Sequence, residues 1–376
     1  MAPTSSVLNP FTNAYSGLGH EHGLPALSTS FAVILAIIYT LTYVLPFYLS
    51  PTTRPSPALS RDAPSVIRAR IRAVSLSCLI CATTTLLVLL AWASLSPLEA
   101  VRLLGWFPIS PTDITKTATL TALLFAGPLF ERGVVEGEWR NWIRGARVAE
   151  TLGSWIGWRN FVAGPITEEL LFRSLLTPLA LLSHHGPAAA ATVTLTTPLY
   201  FGIAHVHHFY EYTLTHPHTP LLPALLRSLV QFAYTSLFGF YATFVFLRTG
   251  SLPAAILAHA FCNWCGLPRL WGRVEPGVPI GPPDIGSRRK RDGEDVRGAV
   301  GAVGQFRVGP PAGGETDEGE DIAWTVAYYI ILVGGAAAFY ECLWALTESG
   351  NALVAFGPPA LTGGGGGGLA SPDSGA

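Results

Sequence analysis

The scarcest property of this 376-residue sequence is charge. Only 12% of its residues are Asp, Glu, Lys or Arg, whereas 49% are hydrophobic, and an ordinary soluble domain has about 25% charged residues. With a mean hydropathy of +0.40, the chain has too little polar surface to cover a water-soluble core of this size. The composition therefore excludes an ordinary soluble enzyme and predicts a membrane protein.

The sequence also lacks a basic excess and a disulfide framework. Its 23 Lys and Arg balance 24 Asp and Glu, so we predict no nucleic-acid partner. Its 5 cysteines all lie in apolar stretches and are too few for a secreted disulfide scaffold. The first 30 residues contain no Lys or Arg and no apolar run, so we predict no cleavable signal peptide.

The sequence does contain apolar segments that are long enough, or nearly long enough, to span a membrane. They are residues 31–49, 73–95, 117–130, 161–182, 188–204, 224–247, 251–266 and 322–346. The 117–130 segment is interrupted by Gly127-Pro128, and Pro165 would either begin a helix or break one. The sequence therefore predicts an all-α polytopic membrane protein with about eight transmembrane helices.

Arginine placement predicts the topology. The loops at 50–72 and 131–160 and the loop after residue 266 are rich in Arg, so the positive-inside rule places them in the cytosol. The Gly- and Pro-rich stretches cannot bury an apolar face. We predict a non-cytosolic N-terminal segment (1–30), a transmembrane catalytic core (31–270), a flexible charged cytosolic loop (271–321), the last transmembrane helix (322–347) and a disordered Gly-rich tail (348–376).

Charged side chains interrupt one of the apolar segments, GPITEELLFRS. Glu169 and Arg173 are four residues apart, so we expect them to form an ion pair on one helix face. Glu168 lies about 100° away around the helix, and we expect it to point into the helix bundle. A charge at the bilayer centre costs roughly 2.5–3.5 kcal/mol, so such residues indicate a functional site.

Two other segments carry polar groups. His205 ends the 188–204 segment, and His259 and Asn263 share one face of the 251–266 segment. These groups satisfy one another only by converging with Glu168 on one intramembrane polar cavity. A carboxylate beside a His activates water, and a second His with an amide stabilises an oxyanion.

Two alternatives to metal-free hydrolysis stay open. Two His and one Glu are also a common zinc ligand set, although the HExxH spacing is absent. The first alternative is therefore a zinc-dependent intramembrane peptidase that uses the same residues. The second is a non-catalytic membrane transporter or scaffold, against which the absence of transporter-like internal repeats counts. The two CxxC pairs, at 78/81 and 262/265, lie within apolar helices, where small residues at this spacing serve helix packing.

Three motifs occur in order on separate predicted helices. They are EExxxR in RNFVAGPITEELLFRS, FxxxH in FGIAHVHH and HxxxN in HAFCNWCGLP. In this set and order the chain resembles the type II CAAX prenyl proteases, the Ras-converting endoproteases within the wider family of membrane CPBP proteases. The resemblance covers about residues 30–270 and the last helix, and the charged stretch at 274–321 looks longer than the family's connection.

The resemblance implies an eight-helix endoplasmic reticulum protease. Such an enzyme removes the last three residues, -aaX, from proteins with a prenylated C-terminal cysteine, at a site open to the cytosol. The partners implied are prenylated CaaX proteins such as Ras-type small GTPases and a-factor-like peptides, together with membrane lipid. We expect no cofactor and no metal, because no complete conventional ligand set is apparent.

The resemblance also assigns roles to residues. It implies that Glu168 and His205 activate the water, while His259 and Asn263 stabilise the oxyanion. Glu169 and Arg173 are expected to support the site. The residues expected at the substrate are Phe201, His207 and His208.

Overall fold

The computed structural model describes residues 27–57, 59–184, 188–274, 318–354 and 356. All regular secondary structure in these ranges is helical, as predicted. The helices are α1 (Thr29–Leu49), α2 (Pro64–Trp92), α3 (Pro97–Leu103), α4 (Pro111–Leu124), α5 (Ala126–Val135), α6 (Trp139–Ile143), α7 (Ala146–Leu152), α8 (residues 155–183), α9 (Ala189–Ala204), α10 (His207–Thr215), α11 (Leu221–Thr249), α12 (Leu252–Cys265) and α13 (Glu318–Leu346). Most of the predicted N-terminal segment, charged loop and tail lies outside the described residues.

Four helices are long and apolar enough to cross a membrane, namely α1, α2, α11 and α13. Helices α4 and α5 form a fifth candidate span that is bent by 82° between its halves. The prediction of an all-α polytopic membrane protein is confirmed. The other predicted spans are helical, but α9 has 16 residues, α12 has 14 and α8 carries charges. The total of eight spans therefore stays a prediction.

Two predicted boundaries in the N-terminal half are wrong. Helix α2 begins at Pro64 rather than at residue 73, because a proline suits the first helical turn, where its missing N–H is not needed. Arg68 and Arg70 therefore lie on a helix and not in a loop. Their guanidinium groups stack on the rings of Trp155 (5.2 Å) and Phe47 (5.6 Å). The break between α4 and α5 falls at Phe125, before the Gly-Pro pair.

The C-terminal part agrees with the prediction at the last span and differs from it at the tail. The candidate span of α13 is Ile322–Leu346, as predicted, and the helix itself begins at Glu318. The first residues of the predicted tail are packed against the helices. The Ser349 hydroxyl donates to Asp113 Oδ2 (2.7 Å), and the Leu353 amide donates to the Leu247 carbonyl (2.8 Å). The tail is therefore anchored to α4 and α11 before it leaves the described part of the chain.

Helix α8 contains two π-helical turns, Trp158–Ala163 and Leu170–Leu175, and a proline follows each of them. A proline has no N–H and its ring crowds the carbonyl four residues earlier. The wider π turn relieves this conflict, because its N–H groups bond five residues back. The helix consequently passes through Pro165 and Pro178 without ending.

The core of the molecule surrounds the middle of α8. Every residue from 171 to 179 is buried, and this stretch contacts α2, α9, α11 and α12. The Arg173 side chain thus lies inside the protein, where Glu169 of the same helix is its ion-pair partner.

Candidate active site

The Glu169 carboxylate joins two partners at the centre of the molecule. Its Oε1 accepts a hydrogen bond from Arg173 Nη1 at 3.1 Å and lies 2.7 Å from His259 Nδ1. Glu169 and Arg173 are fully buried, and His259 is 5% exposed. Because an ionised carboxylate only accepts, Nδ1 carries the proton and Nε2 faces away from Glu169. The predicted i,i+4 ion pair is present, whereas the contact with His259 was not predicted.

Glu168 faces the other nitrogen of the same imidazole. Its Oε2 lies 3.7 Å from His259 Nε2, which is too long for a direct hydrogen bond. The Glu168 side chain keeps 20% of its surface exposed, so the cluster opens to its surroundings at this carboxylate. Neighbouring glutamates of one helix therefore flank one histidine of another.

The Phe201 ring is the common neighbour of the site side chains. It is buried and lies 4.4 Å from the Arg173 guanidinium, 4.5 Å from the His205 ring and 6.1 Å from the His259 ring. Phe201 thus fills the space between three polar side chains, and its contact with substrate stays a prediction.

His205 has a defined tautomer in its neutral form. Its Nδ1 lies 2.8 Å from the carbonyl oxygen of Phe201. Because a carbonyl only accepts, Nδ1 is the donor, and a neutral ring leaves the Nε2 lone pair free. The end of α9 therefore presents a proton acceptor beside the cluster.

Asn263 lies apart from the buried groups. It is exposed, and its Nδ2 donates to the carbonyl of Asn160 at 2.9 Å. In the described contacts the Asn263 side chain meets neither Glu168 nor His259. Its role at an oxyanion stays a prediction.

His207 and His208 belong to a second group of side chains, the edge cluster, which consists of Arg61, Arg70, His207, His208 and Glu211. The buried Glu211 carboxylate lies 3.0 Å from His208 Nδ1, 3.3 Å from Arg61 Nη1 and 3.0 Å from Arg70 Nη2. Glu211, Arg61 and Arg70 were not predicted as site residues. The spacing HHxxE, which places a His and a Glu on one face of α10, was the available signal.

The electrostatics of the edge cluster follow from burial and from its arginines. Burial alone would raise the pKa of Glu211, but the hydrogen bond with His208 and the charges of Arg61 and Arg70 lower it well below its usual value. Burial lowers the pKa of His208 well below its usual value, and His207 adds to this effect. With Glu211 ionised and His208 neutral, the two arginines leave the cluster with one net positive charge.

The possible ligand atoms of His207, His208 and Glu211 lie within 4.8 Å of one another. The two adjacent guanidinium groups already pair with Glu211 and repel a cation. Among the residues that the structure describes, Glu168, His205 and His259 do not form such a group. The spacing of the site residues therefore gives the zinc alternative no support.

Known proteins share the stretch that holds this site. The family model described as "Type II CAAX prenyl endopeptidase Rce1-like" matches residues 150–265, and this range includes both Glu168 and Asn263. No solved structure matches the chain.

Curated relatives match over a longer part of the chain. "Probable CAAX prenyl protease 2" of Schizosaccharomyces pombe is 35% identical over 241 residues, which cover 64% of this chain and 83% of the relative. "CAAX prenyl protease 2" of Arabidopsis thaliana is 32% identical over 65% of this chain and 83% of its own. The human protein of that name is 32% identical over 71% of this chain and 78% of its own. The chain therefore belongs to the type II CAAX prenyl endopeptidase family, as its three motifs indicated.

Proposed function

We propose that this protein removes the C-terminal -aaX tripeptide from prenylated CaaX proteins, such as Ras-type small GTPases and a-factor-like peptides. The observation that carries the proposal is the placement of Glu168. Its partly exposed carboxylate faces His259, which Glu169 holds from behind. Relatives named CAAX prenyl protease support the substrate class.

Glu168 and His205 activate the water in this proposal. The water oxygen attacks the carbonyl carbon of the prenylated cysteine, and its proton passes to Glu168 or to the free Nε2 of His205. The C–N bond then breaks, and the same proton is delivered to the amine of the departing tripeptide. The tautomer that the Phe201 carbonyl imposes on His205 supports this role, because it leaves Nε2 as the acceptor.

His259 and Asn263 stabilise the oxyanion. For His259 Nε2 to donate while Nδ1 donates to Glu169, the ring acts as an imidazolium between two carboxylates. Asn263 has two amide hydrogens, so it donates one to the oxyanion and keeps the other on Asn160. Glu169 and Arg173 position the His259 ring.

The membrane setting suits the substrate. A prenyl chain inserts in the membrane, and the site lies among candidate membrane spans. We propose an endoplasmic reticulum location and a site open to the cytosol, on the side of the Arg-rich loops. The expected orientation follows from the positive-inside rule.

The test is cleavage of a farnesylated CaaX peptide by the full-length protein in membranes. Glu168→Gln is expected to lower kcat on the order of 10²–10⁴-fold, which is the usual contribution of a general base. Glu341→Gln is the matched control, because Glu341 is an exposed glutamate of the membrane-spanning α13. Normal activity of Glu168→Gln would contradict the proposal. Loss of activity with a tight chelator, restored by zinc, would favour the zinc alternative.

A further inference from the structure

The edge cluster carries an excess of positive charge close to the proposed site. Next to it, Arg159 Nη1 pairs with Asp62 Oδ1 at 2.7 Å, and the Arg159 guanidinium is close enough to Arg61 and Arg70 to interact with their charges. The neighbouring pair is neutral, so the surplus belongs to Arg61 and Arg70 against one Glu211. A site with this balance favours an anionic ligand.

Arg61 and Arg70 differ in how many protein partners their guanidinium groups have. Arg70 Nε donates to the Thr53 carbonyl at 2.9 Å, and Arg70 Nη2 pairs with Glu211. Arg61 makes one long contact of 3.3 Å with Glu211, and its buried Nε has no hydrogen-bond partner within the described structure. The Arg61 side chain is 31% exposed. Arg61 is therefore the arginine of the edge cluster that a ligand from outside can reach, through the exposed part of its side chain.

A continuous path of contacts joins His205 to Arg61 through His208 and Glu211. The His205 and His208 rings are 5.8 Å apart, His208 Nδ1 lies 3.0 Å from Glu211 Oε2, and that oxygen lies 3.3 Å from Arg61 Nη1. Three extended residues reach about 10 Å. The path limits the separation of His205 and Arg61 to a length of the same order, so three residues after a bond cleaved beside His205 can span it.

We propose that Arg61 binds the C-terminal α-carboxylate of the substrate, with Arg70 fixed behind it by Glu211. This inference rests on the proposed function and adds a specificity site to it. A carboxylate accepts two parallel hydrogen bonds from one guanidinium, and the Nη groups of the partly exposed Arg61, rather than its buried Nε, are the donors for this purpose. The ion pair with Glu211 holds the Arg61 side chain in place before the substrate arrives.

The experiment compares two farnesylated peptides that differ only at the C-terminus, one a free carboxylate and the other a carboxamide. The full-length protein is expected to prefer the carboxylate by about 10- to 100-fold in kcat/KM, chiefly through KM, as for a charge-assisted pair. Arg61→Gln should remove this preference and leave cleavage of the carboxamide within about twofold of its original rate. Arg61→Lys should restore part of the preference, because it keeps the charge but not the two-pronged geometry.

Arg72→Gln is the matched control, because it removes an exposed arginine of α2, the helix that follows the turn containing Arg61. It is expected to keep the full preference. An equal loss on both peptides in Arg61→Gln would show a structural role for Arg61 and overturn the carboxylate site. Equal cleavage of the two peptides by the unmodified protein would also overturn it. Cleavage of neither peptide would instead overturn the proposed function, and the carboxylate site with it.

Discussion

Two clusters in this protein consist of the same residue types, Glu, Arg and His, and they have opposite ratios of carboxylates to guanidinium groups. The deep cluster, which consists of Glu168, Glu169, Arg173 and His259, has two carboxylates for one guanidinium. The edge cluster has two guanidinium groups for one carboxylate. The ratio of carboxylates to guanidinium groups therefore sets the chemistry, since the deep cluster attracts protons and the edge cluster attracts anions.

The clusters also differ in what holds them. Arg173 is fully buried between the rings of Phe201 (4.4 Å) and Phe238 (5.4 Å), and its Nε and Nη2 have no hydrogen-bond partner among the described residues. Its charge is therefore compensated chiefly by Glu169. Arg61, by contrast, reaches the surface. Removal of one partner is expected to cost more in the deep cluster.

The largest effect is expected from Arg173→Met. This change leaves the Glu169 carboxylate buried with no guanidinium beside it, so the free energy of unfolding should fall by about 3–5 kcal/mol. Thermal unfolding in detergent, followed with a thiol-reactive dye on the buried Cys78, Cys81 and Cys265, measures it. Exposed Arg72→Met is the control. The double variant with Glu169→Gln should recover part of the loss, and an unchanged melting temperature in Arg173→Met would remove the contrast between the clusters.

The next effect is expected from Asn263→Ala. If the amide donates to the oxyanion, kcat should fall on the order of 10²–10³-fold with little change in KM. Peptide cleavage and the melting temperature are measured on the same preparation. A lower melting temperature with a normal kcat would show that Asn263 only ties α12 to the Asn160 carbonyl.

A smaller effect is expected from Gly239→Ala on α11. The added methyl would lie 2.7 Å from Pro198 Cβ and 3.3 Å from Arg173 Nη2, so this crowding should destabilise the deep cluster by about 1–3 kcal/mol. Gly334→Ala on α13 is the matched control, since its methyl would meet open space. Equal melting temperatures for the two variants would show that the side chains around Arg173 move to accommodate the added methyl group.

The smallest effect is expected from Glu211→Gln in the edge cluster, and it depends on pH. The pKa of Glu211 is lowered in the folded state, so its ionised form stabilises the fold above the unfolded value of about 4.3. This contribution is lost as the pH falls further, because the unfolded chain takes up the proton first. Between about pH 5 and about pH 3, the melting temperature of the unmodified protein should fall more steeply than that of Glu211→Gln. Parallel curves would contradict the ion pairing of Glu211.

Helical spacing in the sequence predicts the contacts of the deep cluster that lie within one helix. The pair Glu169–Arg173 and the separate direction of Glu168 follow from positions on one helix. The contact between Glu169 and His259 joins residues 90 positions apart, and spacing within a helix carries no information about it. The motifs predicted that these residues share one site, but the packing of α12 against α8 determines which nitrogen of His259 faces which glutamate.

The contacts of the edge cluster were not predictable from the sequence. Arg61 and Arg70 were counted only as topology signals, because a loop rich in arginine fits the positive-inside rule without further explanation. Their partner Glu211 lies 150 residues from Arg61. The fold class was predictable from apolar runs, whereas the helix ends at Pro64 and Phe125 depended on proline chemistry and on a bend that hydropathy does not report.

The π turns of α8 have a consequence for insertions and deletions. A π turn contains one residue more than an α turn, and one residue corresponds to about 100° of rotation. Deleting a single residue from Trp158–Ala163 would close that turn into regular α-helix and rotate the preceding segment relative to Glu168 and Glu169. Asn160, which accepts the bond from Asn263, lies in this turn. The length of one helical turn thus sets the angle between the two sides of the proposed site.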